Sequence, residues 1–311
     1  MSRARRALCA WVVCFIAVGA SCSDPPEPTP SGTHGHDASF PVMVEAANGI
    51  VRIAARPEAI VSLSASATED LFAIGADDQV VAVDDQSNFP SQAPITNLSG
   101  YEPNVEAILS YAPDLVVTAG DPGDLGSALE AAGVPMLLEP AAADLDEAIA
   151  QIERLGEATG HASAATEVVT SIRGRIDEIV ATADAGSSPP SIYHELDDTY
   201  YSVTSSTFIG QVYEALGAIN IADEAKGAGS GYPQLSAEYI VESDPDVIFL
   251  ADARCCGQTP AIVADRPGWD RIAAVRRQAI VELDEDIASR WGPRVVELYE
   301  VVAGALAASA A

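Results

Sequence analysis

A chain that spells the same helix–turn–strand segment twice is constrained to build two similar bodies. Val105-Glu106-Ala107-Ile108 leads, after Leu109 to Ala112, into Pro113-Asp114-Leu115-Val116-Val117-Thr118-Ala119. Ala237-Glu238-Tyr239-Ile240 leads, after Val241 to Asp244, into Pro245-Asp246-Val247-Ile248-Phe249-Leu250-Ala251, 132 residues further on. Glu, Ile, Pro, Asp and the closing Ala coincide. Each copy reads as a short amphipathic helix, a Pro-Asp break and a buried apolar strand. Upstream of each copy a helix ends in a Gly-Ala pair, Ile74-Gly75-Ala76 and Leu216-Gly217-Ala218. The repeated order predicts two similar α/β lobes with a cleft between them, each with a Glu at the equivalent place.

The N-terminus sets the compartment. Arg3, Arg5 and Arg6 precede the apolar run from Leu8 to Ala20, which marks residues 1–21 as an export signal. Val18-Gly19-Ala20-Ser21-Cys22 resembles a bacterial lipobox, with Gly19 where an aliphatic residue is usual. That resemblance implies that Cys22 is acylated and becomes the first mature residue; a plain secretory signal or a retained anchor is the alternative. Residues 22–39, rich in Pro, Ser and Gly, fit a disordered tether. No later apolar run reaches the roughly 18 residues of a membrane span. The mature chain is therefore expected outside the cytoplasm, held to the membrane by its lipid alone.

Charge narrows the partners. Residues 1–21 hold three Arg and no acid, so their removal leaves 13 of 16 basic residues against 46 acidic ones, a net charge of −33. Such a surface argues against nucleic acid, whose phosphates need Lys and Arg. The acids are spread along amphipathic helices, as on a solvated surface. The 274 residues from Ala38 onward suffice for two lobes with real cores.

Of five cysteines, Cys9 and Cys14 leave with the signal and Cys22 is the expected lipid site. Cys255 and Cys256 remain, adjacent. Neighbouring cysteines close only an eight-membered ring, outside ordinary disulfide geometry. A vicinal disulfide, a pair of thiols and a soft-metal site all remain open.

Patterning supplies the rest of the fold. Phe40 to Ala54 alternates around Asn48-Gly49 as a hairpin. Strands are predicted at Ala59–Leu63, Gln79–Val83, Asp114–Ala119, Pro135–Glu139 and Ser191–Glu195. Helices are predicted at Thr68–Ile74, Leu125–Ala132, Leu145–Thr159, His161–Ala183 and Pro293–Ala308. The fold class is α/β, two Rossmann-like lobes of mainly parallel sheet joined by one long rigid helix. The expected boundaries are 40–159 for the N-terminal lobe, 160–185 for the connecting helix and 186–311 for the C-terminal lobe. One rigid helix, unlike two or three crossing strands, implies limited hinge motion.

Several segments together resemble the helical-backbone substrate-binding proteins of bacterial ABC importers. They are Ile60-Val61-Ser62-Leu63-Ser64 with Thr68-Glu69, the Asn88-Phe89-Pro90 turn, and Asn104-Val105-Glu106 before Pro113-Asp114. Tyr232-Pro233-Gln234-Leu235-Ser236 and Ser289-Arg290-Trp291-Gly292-Pro293-Arg294 complete the set. The likeness covers about residues 40–308 and is nearest to cobalamin-binding members. It implies a small-molecule ligand, a corrinoid, with a ferric siderophore or haem as the alternative, and no resident cofactor or catalysis. A flat ligand with polar amides at its rim wants aromatic faces and a few donors in an interlobe groove. Loops after strand C-termini supply Ser64, Gln86 and Tyr101 from the first lobe. Tyr201, Tyr232, Arg290 and Trp291 come from the second. By resemblance Tyr201 and Tyr232 fall at aromatic positions and Arg290 at an arginine position. Tyr101 is one place off an aromatic position, and Gln86 replaces another aromatic. The resemblance also implies that Glu106 and Glu238, one per lobe, dock on arginines of a dimeric permease, with the protein a monomer.

Other chemistry is thin. His34 and His36 lie in the tether, and His161 opens the long helix. His194-Glu195 ends a strand and is a candidate haem ligand. No Gly-x-Ser-x-Gly elbow or phosphate-binding Gly-Lys-Ser/Thr loop occurs. Asp197-Asp198 is an acid pair without a nucleophile. An extracytoplasmic enzyme would need a converging nucleophile or metal triad. A purely structural lipoprotein would need neither an aromatic cleft nor paired docking carboxylates.

Overall fold

The computed structural model describes residues 39–183 and 189–309. The expected signal, Cys22, His34, His36 and all but the last residue of the tether lie outside the described residues. The N-terminal half runs β1 (Val42–Ala46), β2 (Gly49–Ile53), β3 (Ile60–Leu63), α1 (Ala65–Ala73), β4 (Val80–Val83), α2 (Val105–Leu109), β5 (Leu115–Thr118), α3 (Leu125–Ala131), β6 (Met136–Leu138), α4 (Leu145–Thr159) and α5 (Ala162–Thr182). The C-terminal half runs β7 (Ser191–Glu195), α6 (Phe208–Ala215), β8 (Ile219–Asn220), α7 (Ala237–Ser243), β9 (Val247–Leu250), α8 (Ala253–Cys256), α9 (Pro260–Ala264), α10 (Ala273–Arg276), β10 (Ile280–Glu282), α11 (Glu285–Ala288) and α12 (Val295–Ser309).

The internal repeat becomes two sheets of the same design. Strand order is β4-β3-β5-β6 in one and β8-β7-β9-β10 in the other, every neighbour parallel. β3, β5 and β9 are buried along their whole length, as parallel strands covered on both faces must be. Local devices recur in pairs. Asn104 and Ser236 cap α2 and α7, accepting from Ala107 N at 2.9 Å and Tyr239 N at 3.2 Å. Ala112 and Asp244 each turn left-handed, at φ 50° and 46°, just before Pro113 and Pro245. Asp114 then accepts from Glu58 N and Ala59 N, and Asp246 from Ser191 N, which fastens each loop to the start of the lobe's first strand. Gly75 and Gly217, at φ 78° and 76°, end α1 and α6. The following amides of Ala76 and Ala218 return to Leu71 O and Tyr213 O, a C-terminal motif that needs a residue tolerant of positive φ.

Some ends differ from the sequence expectation. The first helix starts at Ala65, not Thr68, because Ser64 caps it by accepting from Ala67 N. The last helix starts at Val295, past the Gly292-Pro293 break, and runs to Ser309. The connecting helix is 21 residues, about 31 Å at 1.5 Å per residue. It is no free-standing strut. Its buried residues Ala165, Val169, Ile172 and Ile176 recur at helical spacing, and the helix packs on α4 and α12. One continuous apolar core joins Val44, Leu71 and Leu155 of the first half to Ile172 and then to Tyr213, Phe249 and Val302 of the second. Relative lobe motion would open that core, so limited hinge motion follows from shared burial as well as from helix stiffness.

Candidate ligand cleft

The C-terminal ends of β3, β4 and β5 deliver Ser64, Asp84 and the Ala119–Pro122 loop to one wall of a cavity of about 660 Å³. The segment after α11 supplies the facing wall with Ser289, Arg290 and Trp291. A second cavity, about 400 Å³, is bordered by Ala141–Ala143, by Ser206 to Ile209, and by Gly229 to Tyr232. Ser289 and Trp291 border both, so the two cavities adjoin along that edge. Trp291 is fixed there by its indole Nε1, which donates to Gln151 Oε1 of α4 at 2.7 Å.

The structure brings most of the expected residues together. Ser64, Gln86, Tyr101, Arg290 and Trp291 line the larger cavity, and Tyr232 lines the smaller with Trp291. Tyr101 and Tyr232 are well exposed, at 79% and 51%, available to cover a ligand. Tyr201 borders neither cavity; its backbone pairs with Gln234 in an isolated antiparallel bridge. The Ser64 hydroxyl already serves as a helix cap.

Arg290 is committed inside the protein. It donates to Glu69 Oε1 at 2.8 Å, to Gln86 O at 2.9 Å and to Asp286 Oδ1 at 2.9 Å, and is 8% exposed. Arg294 donates to both oxygens of the same Glu69 carboxylate. These bonds tie the α11–α12 corner to α1 across the cleft floor.

Three carboxylates border the larger cavity, Asp84, Asp121 and Asp286. Burial pushes Asp84 above the usual carboxylate range, opposed by the Ser87 hydroxyl, which donates at 2.6 Å. Burial would also raise Asp286, but hydrogen bonds from Arg254 and Asn88 and the charge of Arg290 hold it below its ordinary value. Among the described residues that line the two cavities, Arg290 is the sole cation, and its charge is already matched. The residues missed from sequence are Asp84, Asp121, Asp286 and Glu69. Asp84 and Asp121 follow strands β4 and β5 almost directly, so the strand-end rule that selected Ser64 points to them as well.

His194 does not reach the cleft. Its side chain is fully buried, Nδ1 lies 2.7 Å from Tyr213 Oη, and burial pushes its pKa down to about 3. The side chain points into the core from the interior strand β7, which removes it as a haem ligand. Glu195 is likewise consumed, in a two-pronged ion pair with Arg266 at 2.6 and 2.7 Å. Asp197 accepts from Thr199 N and Oγ1 to close a turn, without joining Asp198 as an acid–base pair. Glu106 and Glu238 are exposed, each at the second residue of its capped helix, α2 or α7. Cys255 and Cys256 are joined in a disulfide.

Residues 60–287 match the model of the periplasmic binding protein family. The chain is 30% identical to an uncharacterized ABC transporter substrate-binding lipoprotein, YvrC, of Bacillus subtilis, over 94% of this chain and 95% of that one. It is 31% identical to a cobalamin-binding protein of Halobacterium salinarum, over 87% of this chain and 76% of the relative. Among solved structures, the periplasmic heme-binding protein RhuT of Roseiflexus sp. RS-1 superposes with a TM-score of 0.71 at 25% identity, covering 81% of this chain and 99% of that one.

Proposed function

The chain belongs to the periplasmic binding protein family, and from that premise we propose that it captures a corrinoid outside the cytoplasm and hands it to an ABC permease. It is a substrate-binding protein of an ABC importer of the cobalamin, haem and iron class. The observation that carries the corrinoid is the charge of the cleft. Asp84, Asp121 and Asp286 face the space, and the cation that borders it is paired with Glu69 and Asp286. Haem presents two propionates, which would be desolvated against carboxylates with no free cation among the described lining residues to receive them. A corrin rim presents neutral amides, whose N–H groups suit carboxylates and whose carbonyls suit Ser and Thr hydroxyls. Its trivalent cobalt leaves positive charge at the centre. Trp291 and Tyr232 offer apolar faces for the ring. The cobalamin-binding relative supports the same choice.

A neutral or cationic ferric hydroxamate is the second reading, because the same acidic wall would accept it. The ligand is cargo in either case. Glu106 and Glu238 are the proposed contacts with the two permease subunits. Their support is the duplicated cap, helix and turn that present both carboxylates alike. The protein is proposed to act as a monomer, anchored by lipid on Cys22.

Thermal melting of the mature chain with hydroxocobalamin, a ferric trihydroxamate or haemin tests the ligand. A ligand at 100 times its Kd adds about 2.7 kcal/mol to folding, roughly 5–10 °C for a chain of this size. Hydroxocobalamin is expected to give that shift and haemin none. A shift with haemin alone overturns the corrinoid reading, and one with the hydroxamate alone moves the assignment to the second.

A further inference from the structure

The Cys255–Cys256 disulfide closes the four-residue helix α8 at the end of β9, with both cysteines exposed. Its N-cap residue, Asp252, makes no side-chain cap bond. The cap comes instead from a distant residue: Glu285 Oε1 accepts from Arg254 N and from Cys255 N, both at 2.6 Å. The Arg254 side chain adds an ion pair with Asp286 Oδ2 at 2.7 Å. Glu285 and Asp286 open α11, and Asp286 continues the chain of contacts to Arg290 and to Asn88 Nδ2. Asp286, Ser289, Arg290 and Trp291 are a wall of the larger cavity. The cysteine turn therefore grips the ligand-side wall through two backbone donors and one guanidinium, and the position of those donors depends on the turn that the disulfide closes.

We propose that Cys255–Cys256 is a thiol–disulfide exchange site whose redox state sets how firmly the α11 wall of the cleft is held. An exposed disulfide is open to attack, and exposed ones are the labile class. A thiolate of an external dithiol attacks one cysteine sulfur, forming a mixed disulfide and releasing the other cysteine as a thiolate that takes up a proton. The second thiol of the reagent then displaces the remaining cysteine and closes the reagent's own disulfide. Two electrons and two protons pass from the dithiol to the protein, which ends with two cysteine thiols. With the ring opened, Arg254 N and Cys255 N are no longer held to one geometry beneath Glu285, and the wall from Glu285 to Trp291 loosens. The consequence for cargo rests on the corrinoid reading; the loosening itself does not.

Hydrogen exchange and iodoacetamide labelling, before and after treatment of the mature chain with dithiothreitol, test the site, alongside the Cys255→Ser/Cys256→Ser variant. Both cysteines are expected to label only after reduction. Exchange across Arg254–Gly257 and Glu285–Trp291 is expected to quicken about tenfold, in the reduced protein and the variant alike, while α4 stays unchanged. Cyanocobalamin, chosen because it is the less thiol-reactive corrinoid, is expected to bind the reduced protein more weakly by a similar factor. Labelling of Cys255 or Cys256 without reductant, or unchanged exchange across Glu285–Trp291 in both altered forms, overturns the proposal. Quickened exchange with no corrinoid bound in either redox state upholds the exchange site and removes the ligand reading instead.

Discussion

Arg294 grips Glu69 with two parallel hydrogen bonds, Nε to Oε2 at 2.8 Å and Nη2 to Oε1 at 2.6 Å. The Glu69 side chain is 1% exposed and also receives Arg290. One buried carboxylate thus holds two arginines that arrive from the other end of the chain. Its removal would take from Arg294 the carboxylate it grips and from Arg290 one of its two, leaving positive charge uncompensated in a largely buried place, a loss on the order of 3–5 kcal/mol. Glu69→Ala is therefore expected to lower the unfolding free energy by that amount, read as a lower urea midpoint at an unchanged m-value. A loss under about 1 kcal/mol would show that the joint is ornamental to folding.

A second buried acid gives a pH signature. Asp252 is 0% exposed and neither of its oxygens has a hydrogen-bond partner among the described residues. Burial first, then the charge of Glu195, raise its pKa to about 7. The unfolded value is near 3.9, so between about pH 4 and 7 the folded state holds a proton that the unfolded state has lost. Folding stability from this group is full below pH 4 and declines as pH rises to about 7. Asp252→Asn mimics the protonated form. It is expected to melt near the wild type at pH 4 and several degrees higher at pH 8. A difference independent of pH would refute the assignment. His194, neutral in the core with a pKa of about 3, works in the opposite sense, costing stability as pH falls below about 6.5.

The duplicated lobes were legible because local chemistry specifies them. Pro113-Asp114 and Pro245-Asp246 stop a helix, start a strand and supply a carboxylate for the amides at the start of the lobe's first strand. The long helix was legible from its periodic apolar face. Arg290 was legible as a cleft residue but not as a clamp, since Glu69 lies 221 residues away in sequence and only the folded core brings them together. Tyr201 followed the strand-end rule yet was drawn into a bridge with Gln234, a pairing that no local pattern announces. His194 departs from the haem-ligand expectation because strand alternation, not its nearness to the strand end, decides which way the side chain points.

Tyr232, half exposed at the border of the smaller cavity, is expected to stack on the corrin ring. Tyr232→Ala should weaken corrinoid binding by about 1–3 kcal/mol, as for aromatic anchors at interfaces. Tyr201→Ala, away from both cavities, should change it little. Calorimetric titration of both variants decides; equal losses would move Tyr201 back into the site.

Reversing Glu106 and Glu238 to Arg together should abolish ligand uptake in cells while leaving ligand affinity and melting temperature nearly unchanged. Both side chains are exposed and lie outside the cavities, and like charges opposed across an interface cost up to several kcal/mol. Single reversals should give intermediate uptake. Surviving uptake in the double reversal would remove these residues from the permease interface.

The most direct test of the account is a calorimetric titration of hydroxocobalamin into the mature chain, with haemin run alongside. One corrinoid is expected to bind per protein with a Kd of micromolar or tighter, about −8 kcal/mol or better, with no saturable haemin binding. Stoichiometric haemin binding with no heat from the corrinoid would contradict it.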